Sequence, residues 1–196
     1  PPHRPTTRDW QRIGTVAVDS GLKYLQGDLS RPPPNGPRTF LGPRLLAAPM
    51  ASYRETIRIE TNPGVQALDI TDRVEAAIAK SGVKDGLACV FTPSSTSAIL
   101  TNEFEPGLMD EDIPNALERL IPASIDYGHE RRWHDGNGHS HVRATFLGPS
   151  LTVPIVDGRL ALGTWQQVVF LELDNKPRRR EVIVQVVGEA TTPRDK

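Results

Sequence analysis

A single cysteine, Cys89, stands in 196 residues. No disulfide can form within one chain, so a reducing compartment, the cytoplasm, is the expected setting. Cys89 lies in the apolar run Leu87-Ala88-Cys89-Val90-Phe91 and reads as a small core residue. Long hydrophobic runs are lacking too. Nothing approaches the roughly 18–20 apolar residues of a membrane span, and no basic stretch leads into an apolar one at the start, as a secretory signal would. Neither sign of charge is in excess: the net charge is −1 and the pI about 6.6. Neither nucleic acid nor membrane is thereby indicated as a partner.

What is there falls into two parts. The first 49 residues carry nine of the 18 prolines, with seven Lys/Arg against three Asp/Glu, while the remainder carries 16 against 21. Residues 30–49 are dense in helix and strand breakers and lack periodicity, which predicts a flexible segment. Met50 opens the patterned region. Residues 1–49 are therefore expected to be a flexible extension, with Met50 the natural start of a domain over residues 50–196.

From Met50 the chain alternates short elements. Tyr53–Thr61 alternates charged and apolar residues, as a half-buried strand does. Val65–Ile70 reads as a second strand. Thr71 is placed to cap a helix with Val74, Ala77 and Ile78 on one side, stopped by Gly82. Gly86–Phe91 and Thr96–Thr101 read as strands and Ile113–Ile121 as a helix. Strands are expected over His139–Leu147, Leu151–Ile155, Arg159–Leu162, Thr164–Leu173 and Arg180–Val187. With strands dominant and two or three helices in no βαβ rhythm, the class is α+β with mostly antiparallel sheets.

Four of the five histidines lie within 13 residues, at 129, 134, 139 and 141. If His139 and His141 begin a strand, both imidazoles leave one face. The Gly136-Asn137-Gly138 turn can bring Asp135 or His129 back towards them. Two or three histidines with a carboxylate suit zinc or a similar divalent ion, and His129, His139 and His141 are the expected ligands, with Asp135 close by. The alternative is a polar turn whose histidines bond one another, and that is the expectation for His134. Arg143, at the same strand parity, would face a phosphate or carboxylate, unless an acid pairs with it. Glu103, in the loop after Thr101, is a candidate base or ligand. Ser94, Ser95 and Thr96 can hold phosphate through hydroxyls and backbone N–H groups, or form a plain polar turn. Arg178-Arg179-Arg180 reads as a solvated turn.

Several stretches together resemble one family. They are YGHERRW, DGNGHSHVRATFLGPSLTVPI, DGRLALGTWQQVVFLELD and RRREVIVQVVGE, with Leu162-Gly163-Thr164-Trp165-Gln166 the sharpest. They resemble the YjbQ-type family, the secondary thiamine-phosphate synthases, in an archaeal-style branch, over about Met50 to Glu189. Glu103 matches the acid that follows the family's Thr/Ser-rich strand. Many bacterial relatives have a histidine in that strand where this chain has serines. The resemblance implies a YjbQ-like fold packed as a homotrimer. It implies the joining of a hydroxymethylpyrimidine diphosphate to a thiazole phosphate with release of pyrophosphate. Such a reaction needs positive charge on the leaving group and no protein nucleophile. On this reading a divalent ion, zinc or magnesium, serves as cofactor. Glu103, Asp135 and Arg143 are expected to act in catalysis, and Ser95, Thr96, Asn137, Arg143 and Gln166 to bind a phosphorylated small molecule. Trp165 is expected to be an apolar anchor supporting the site. A ligand-binding trimer without catalysis and a metal-dependent phosphate hydrolase are the competing functions. Strands around Val168–Leu171 and Val182–Val187 are apolar on both parities, so both faces need cover; with few helices, a neighbouring subunit is the expected cover.

Overall fold

The computed structural model describes residues 50–190; the expected flexible extension over residues 1–49 lies outside the described residues. Strand β1 (Met50–Thr61) buries Ile57, Ile59 and Thr61 and turns Arg58 and Glu60 outward, as its alternation predicts. After β2 (Gln66–Asp69) comes helix α1 (Thr71–Ser81). Its buried residues Val74, Ala77 and Ile78 are spaced to share one face, and Gly82 ends it at φ 69°. Thr71 is not the cap. Asp69 Oδ1 accepts from the Thr71 backbone N–H and hydroxyl, and Thr71 Oγ1 accepts from Val168 N, tying the helix start to a later strand.

Next come β3 (Val83–Phe91), β4 (Ser97–Asn102), a π-helical turn (Gly107–Asp112) running into α2 (Ile113–Leu120), and the one-turn α3 (Glu130–Trp133). Helix α4 (Gly138–Leu147) precedes β5 (Ser150–Val156), β6 (Arg159–Leu160), β7 (Gln167–Glu172) and β8 (Arg178–Ala190). All strand pairings are antiparallel, in two sheets ordered β1-β8-β3-β5-β6 and β2-β7-β4. The α+β class is as expected, with four helices rather than two or three among the described residues.

The strand expected over His139–Leu147 is instead helix α4, and this is the main correction. Ser140, Arg143 and Ala144 are its buried residues, with Leu147 packed beside them. That is the i, i+3, i+4, i+7 stripe of a helix, disguised because one member is an arginine. The strand expected from Thr164 starts only at Gln167.

The smaller sheet is covered on both faces within the chain. One face, with Ile99, Val168 and Phe170, packs on the inner side of the larger sheet and on α1. The other, with Ala98, Leu171 and Leu173, meets Leu117 of α2 and Ala144 of α4. Each of the buried Val, Leu, Ile and Phe side chains among these contributes about 1.5–3 kcal/mol. For β7, therefore, the chain's own helices supply the cover expected of a neighbour. The larger sheet differs: Leu87, Phe91, Val156 and Val187 remain exposed on its outer side.

Candidate functional site

The end of β7, the start of β8 and the turn before β4 meet at one rim of the molecule. Two acids leave β7 two residues apart, Glu172 and Asp174, and two arginines enter β8 two apart, Arg178 and Arg180. The Arg180 guanidinium forks onto Glu172, with Nε 2.7 Å from Oε2 and Nη2 2.6 Å from Oε1. It also donates to the Ser94 and Thr96 hydroxyls, each at 2.8 Å. Asp174 Oδ2 accepts from Thr96 Oγ1 and Arg178 Nε, both at 3.0 Å. Thr61 Oγ1, from the end of β1, donates to Glu172 Oε2 at 2.8 Å. Burial alone would raise the Asp174 pKa, but the Thr96 hydroxyl and Arg178 outweigh it and hold the carboxyl below its ordinary value. Arg178-Arg179-Arg180 is thus no solvated turn. Only Arg179 fits that reading, with its side chain 91% exposed, against 12% for Arg180.

Facing this rim is the histidine-rich turn. Glu130 gathers it: Oε2 accepts from Gly136 N at 2.6 Å and Oε1 from Gly138 N at 2.7 Å. The glycines are required here. Gly136 has φ 75°, and a Cβ on Gly138 would fall 2.6 Å from Tyr127 Cβ. Buried Asn137, with its amide nitrogen turned to the carboxylate, donates to Asp135 Oδ1 and Oδ2 at 3.0 and 3.2 Å. Asn175, between β7 and β8, donates to the Asp135 carbonyl and ties the turn to the rim.

His129 Nδ1 sits 3.2 Å from Asp135 Oδ1, yet without the alignment of a hydrogen bond, so it is a buried nitrogen lacking a partner. The His129 and His141 rings lie 4.5 Å apart. His129, Glu130 and Asp135 present ligand-type atoms within 4.8 Å of one another. Glu130 already uses both oxygens on backbone N–H groups. That leaves His129 and Asp135 of this group free to hold a divalent ion, with the His141 ring next to them.

His139 is not in this set. Residues two apart on a helix point about 200° apart, so the pair expected on one face diverges. His139 turns towards Tyr127, with ring centroids 6.3 Å apart. Arg143 does not face a ligand either. It is 4% exposed, donates to the Ile121 carbonyl at 3.0 Å (Nε) and 2.8 Å (Nη2), and pairs with Glu118 at 2.6 Å, so it ties α4 to the end of α2. The arginines that do line the cleft are Arg178 and Arg180, each paired with an acid. Glu103 and Gln166 lie at the far end of the smaller sheet, where Asn102 pairs with Gln167, whereas Ser97 pairs with Glu172 at the near end. Along β4 that is roughly 20 Å. Gln166 donates to Thr101. Trp165 is 69% exposed, so among the described residues it is not the apolar anchor expected of it.

Between rim and turn lies a cleft of about 360 Å3, walled by Ser94, Ser95, Thr96, Asn137, His141 and Arg180. A larger concavity, about 770 Å3, lies beyond Ser94 and Arg180 against Arg58 and Arg179 and holds no histidine. The chemistry converges in the smaller one. Sequence reasoning missed Glu172, Asp174, Arg178 and Arg180. The available signal was the matched Glu-x-Asp and Arg-x-Arg spacing about Asn175-Lys176-Pro177.

Burial holds the His139 and His141 pKa values below the ordinary histidine value, helped by Arg143 for the first and His129 for the second. The unfolded chain then binds more protons than the folded one just below the ordinary histidine pKa of about 6.5. Stability of the metal-free protein should fall as pH drops through about 6.5 and level off below the folded values. Denaturant titrations between pH 8 and 5 check this. His139→Gln should flatten the slope, and an unchanged slope in that variant would contradict the assignment.

Similarity to known proteins places this geometry. The family model described as UPF0047 protein YjbQ-like matches residues 55–189. A UPF0047 protein of Archaeoglobus fulgidus is 44% identical over 131 residues, covering 67% of this chain and 98% of that protein. One of Bacillus subtilis is 33% identical over 135 residues, covering 68% and 98%. Among solved structures, a YbjQ-like protein of unknown function from Sulfolobus solfataricus superposes with a TM-score of 0.68 at 38% identity, covering 71% of this chain and 99% of that one.

Proposed function

This chain belongs to the YjbQ-like UPF0047 family, and from that membership we propose that it forms thiamine phosphate, joining a hydroxymethylpyrimidine diphosphate to a thiazole phosphate. The observation that carries the reading is the cleft in which His141 and Asn137 face the hydroxyls of Ser94–Thr96, with His129 beside His141 and Asp135 beside Asn137. Glu130, Asp135, Glu172 and Asp174 outnumber Arg178 and Arg180, so with neutral histidines the site favours a cation. A divalent ion held by His129, His141 and Asp135 would supply the Lewis acidity that a leaving diphosphate needs.

The chain's own groups do the remainder. The hydroxyls and backbone N–H groups of Ser94 and Ser95 bind phosphate oxygens. Arg180 holds Ser94 and Thr96 in place for that contact. Asn137 orients Asp135. The thiazole nitrogen forms the new C–N bond while the C–O bond to pyrophosphate breaks and its electron pair leaves with the anion, so the protein supplies no nucleophile. On this reading it works in the cytoplasm as a homotrimer. The exposed apolar outer side of the larger sheet supports that assembly, and only across a subunit boundary would Glu103 or Gln166 come near a cleft.

Tag-free protein, incubated with both precursors and magnesium or zinc, should yield thiamine phosphate and pyrophosphate in equal amounts, with the mass in solution three times that of the chain. Binding of precursors without product would favour the second reading, a ligand-binding trimer. One observation supports that alternative: Arg178 and Arg180 are both already paired with acids. Release of orthophosphate without coupling would point to a hydrolase.

A further inference from the structure

Beside the histidine turn lies a third concavity, of about 560 Å3, lined by Gly128, His129, Arg131, Arg132 and Trp133. Its floor is the short helix α3, ended by His134 in the left-handed region at φ 54°. Trp133 is 71% exposed, although an indole is among the side chains that gain most from burial. Arg131 is taken by Asp126 at 2.5 Å, whereas Arg132 has no ion pair among the described residues. His129 belongs to both places: its ring lies 4.5 Å from that of His141 and also lines this concavity.

An open indole face, an uncommitted guanidinium and a shared wall with the ion-binding residues define a particular occupant. The volume is that of a small-molecule pocket, whereas a stable protein contact needs about 800 Å2 on each partner. An indole face offers stacking to a flat ring, and the free arginine calls for an anion. We propose that Trp133 and Arg132 form the subsite for the ring end of a phosphorylated heteroaromatic substrate, the ring stacking on Trp133 while its phosphates reach across His129 towards Ser94–Thr96. This rests on the function proposed above and adds to it the residues that would select a ring over a bare phosphate.

The test reads binding alone, so it does not depend on turnover. In a Trp10→Phe/Trp165→Phe background, Trp133 is the sole emitter. Hydroxymethylpyrimidine diphosphate should quench it saturably, and inorganic pyrophosphate should not. By calorimetry, Trp133→Ala should weaken binding of the pyrimidine diphosphate about tenfold or more, the usual range for loss of ring stacking. Its affinity for pyrophosphate should be unchanged, and Trp133→Phe should restore most of the loss. Equal loss for both ligands would overturn the proposal, as would unchanged affinity for both. A smaller mass in solution for Trp133→Ala would also overturn it, by making this surface a contact between copies. Quenching without any thiamine phosphate formed would remove the proposed reaction and leave the subsite standing. Product formed with the same KM in Trp133→Ala would do the reverse.

Discussion

Arg180→Ala is expected to destabilise the protein by about 3–5 kcal/mol, because it strips the counterion from a carboxylate that has no water to turn to. Glu172 is fully buried on β7, and Arg180 covers both its oxygens. Among the described residues, Thr61 would be the only other side chain left on that carboxylate, beside the backbone N–H groups of Leu173 and Asp174. For a domain of this size the melting temperature should fall on the order of 10 °C. The neighbouring Arg179→Ala is the control. Its pairing with Glu60 is solvent-exposed at 3.4 Å and should be worth no more than about 0.5 kcal/mol. Thermal unfolding of the two variants, one position apart, measures the difference. The Arg180→Leu/Glu172→Leu double variant should regain part of the loss, since a buried pair replaced as a pair leaves no orphan charge. Similar melting temperatures for Arg180→Ala and Arg179→Ala would show that the fork does not hold the rim together.

The second large effect concerns the ion. Zinc affinity should fall at least about 100-fold in His129→Ala and in His141→Ala, because loss of a supporting residue outside the ligands already costs 10–100-fold. Glu130→Gln tests that supporting class. It keeps the shape but weakens the grip on the Gly136 and Gly138 N–H groups, and should cost about tenfold. His139→Ala should change affinity by no more than about threefold. Calorimetric titration of tag-free protein separates these outcomes. A loss in His139→Ala as large as in His141→Ala would return His139 to the ligand set and contradict the helical placement.

Much of the scaffold could be read from residue pattern alone. Alternation placed β1, and the spacing of Val74, Ala77 and Ile78 placed α1, because in both elements the pattern and the burial coincide. The Leu162–Gln166 signature and its flanking stretches carried the family. The density of histidines pointed to the turn that faces the rim. What failed did so for identifiable reasons. His139 and His141 suggested a strand because two-residue spacing is the strand period, while the helical stripe through Ser140, Arg143, Ala144 and Leu147 contains two polar members that periodicity does not count as core. Arg143 and Arg180 were misread because a guanidinium's surroundings depend on partners distant in sequence. Arg143 meets Ile121, 22 residues away, and Arg180 meets Ser94, 86 residues away. Trp165 read as an anchor because tryptophans usually are, and nothing in its neighbours revealed an exposed position.

The placement of β8 has a consequence for how the chain is made. Strand β8 lies between β1 and β3, pairing Met50 with Glu189 on one side and Val90 with Val184 on the other. The first strand described therefore waits for the last. From Thr61 to Ala190 is about 130 residues, which at the usual pace of translation takes roughly 6–25 s. Throughout that interval β1 has no strand neighbour among the described residues, one edge of β3 stays open to any passing strand, and Glu172 emerges before the arginine that neutralises it. Pairings this distant also slow folding after release. A chain that stops before residue 178 has its larger sheet in two separate pieces, β1 alone and β3-β5-β6, rather than a nearly finished fold.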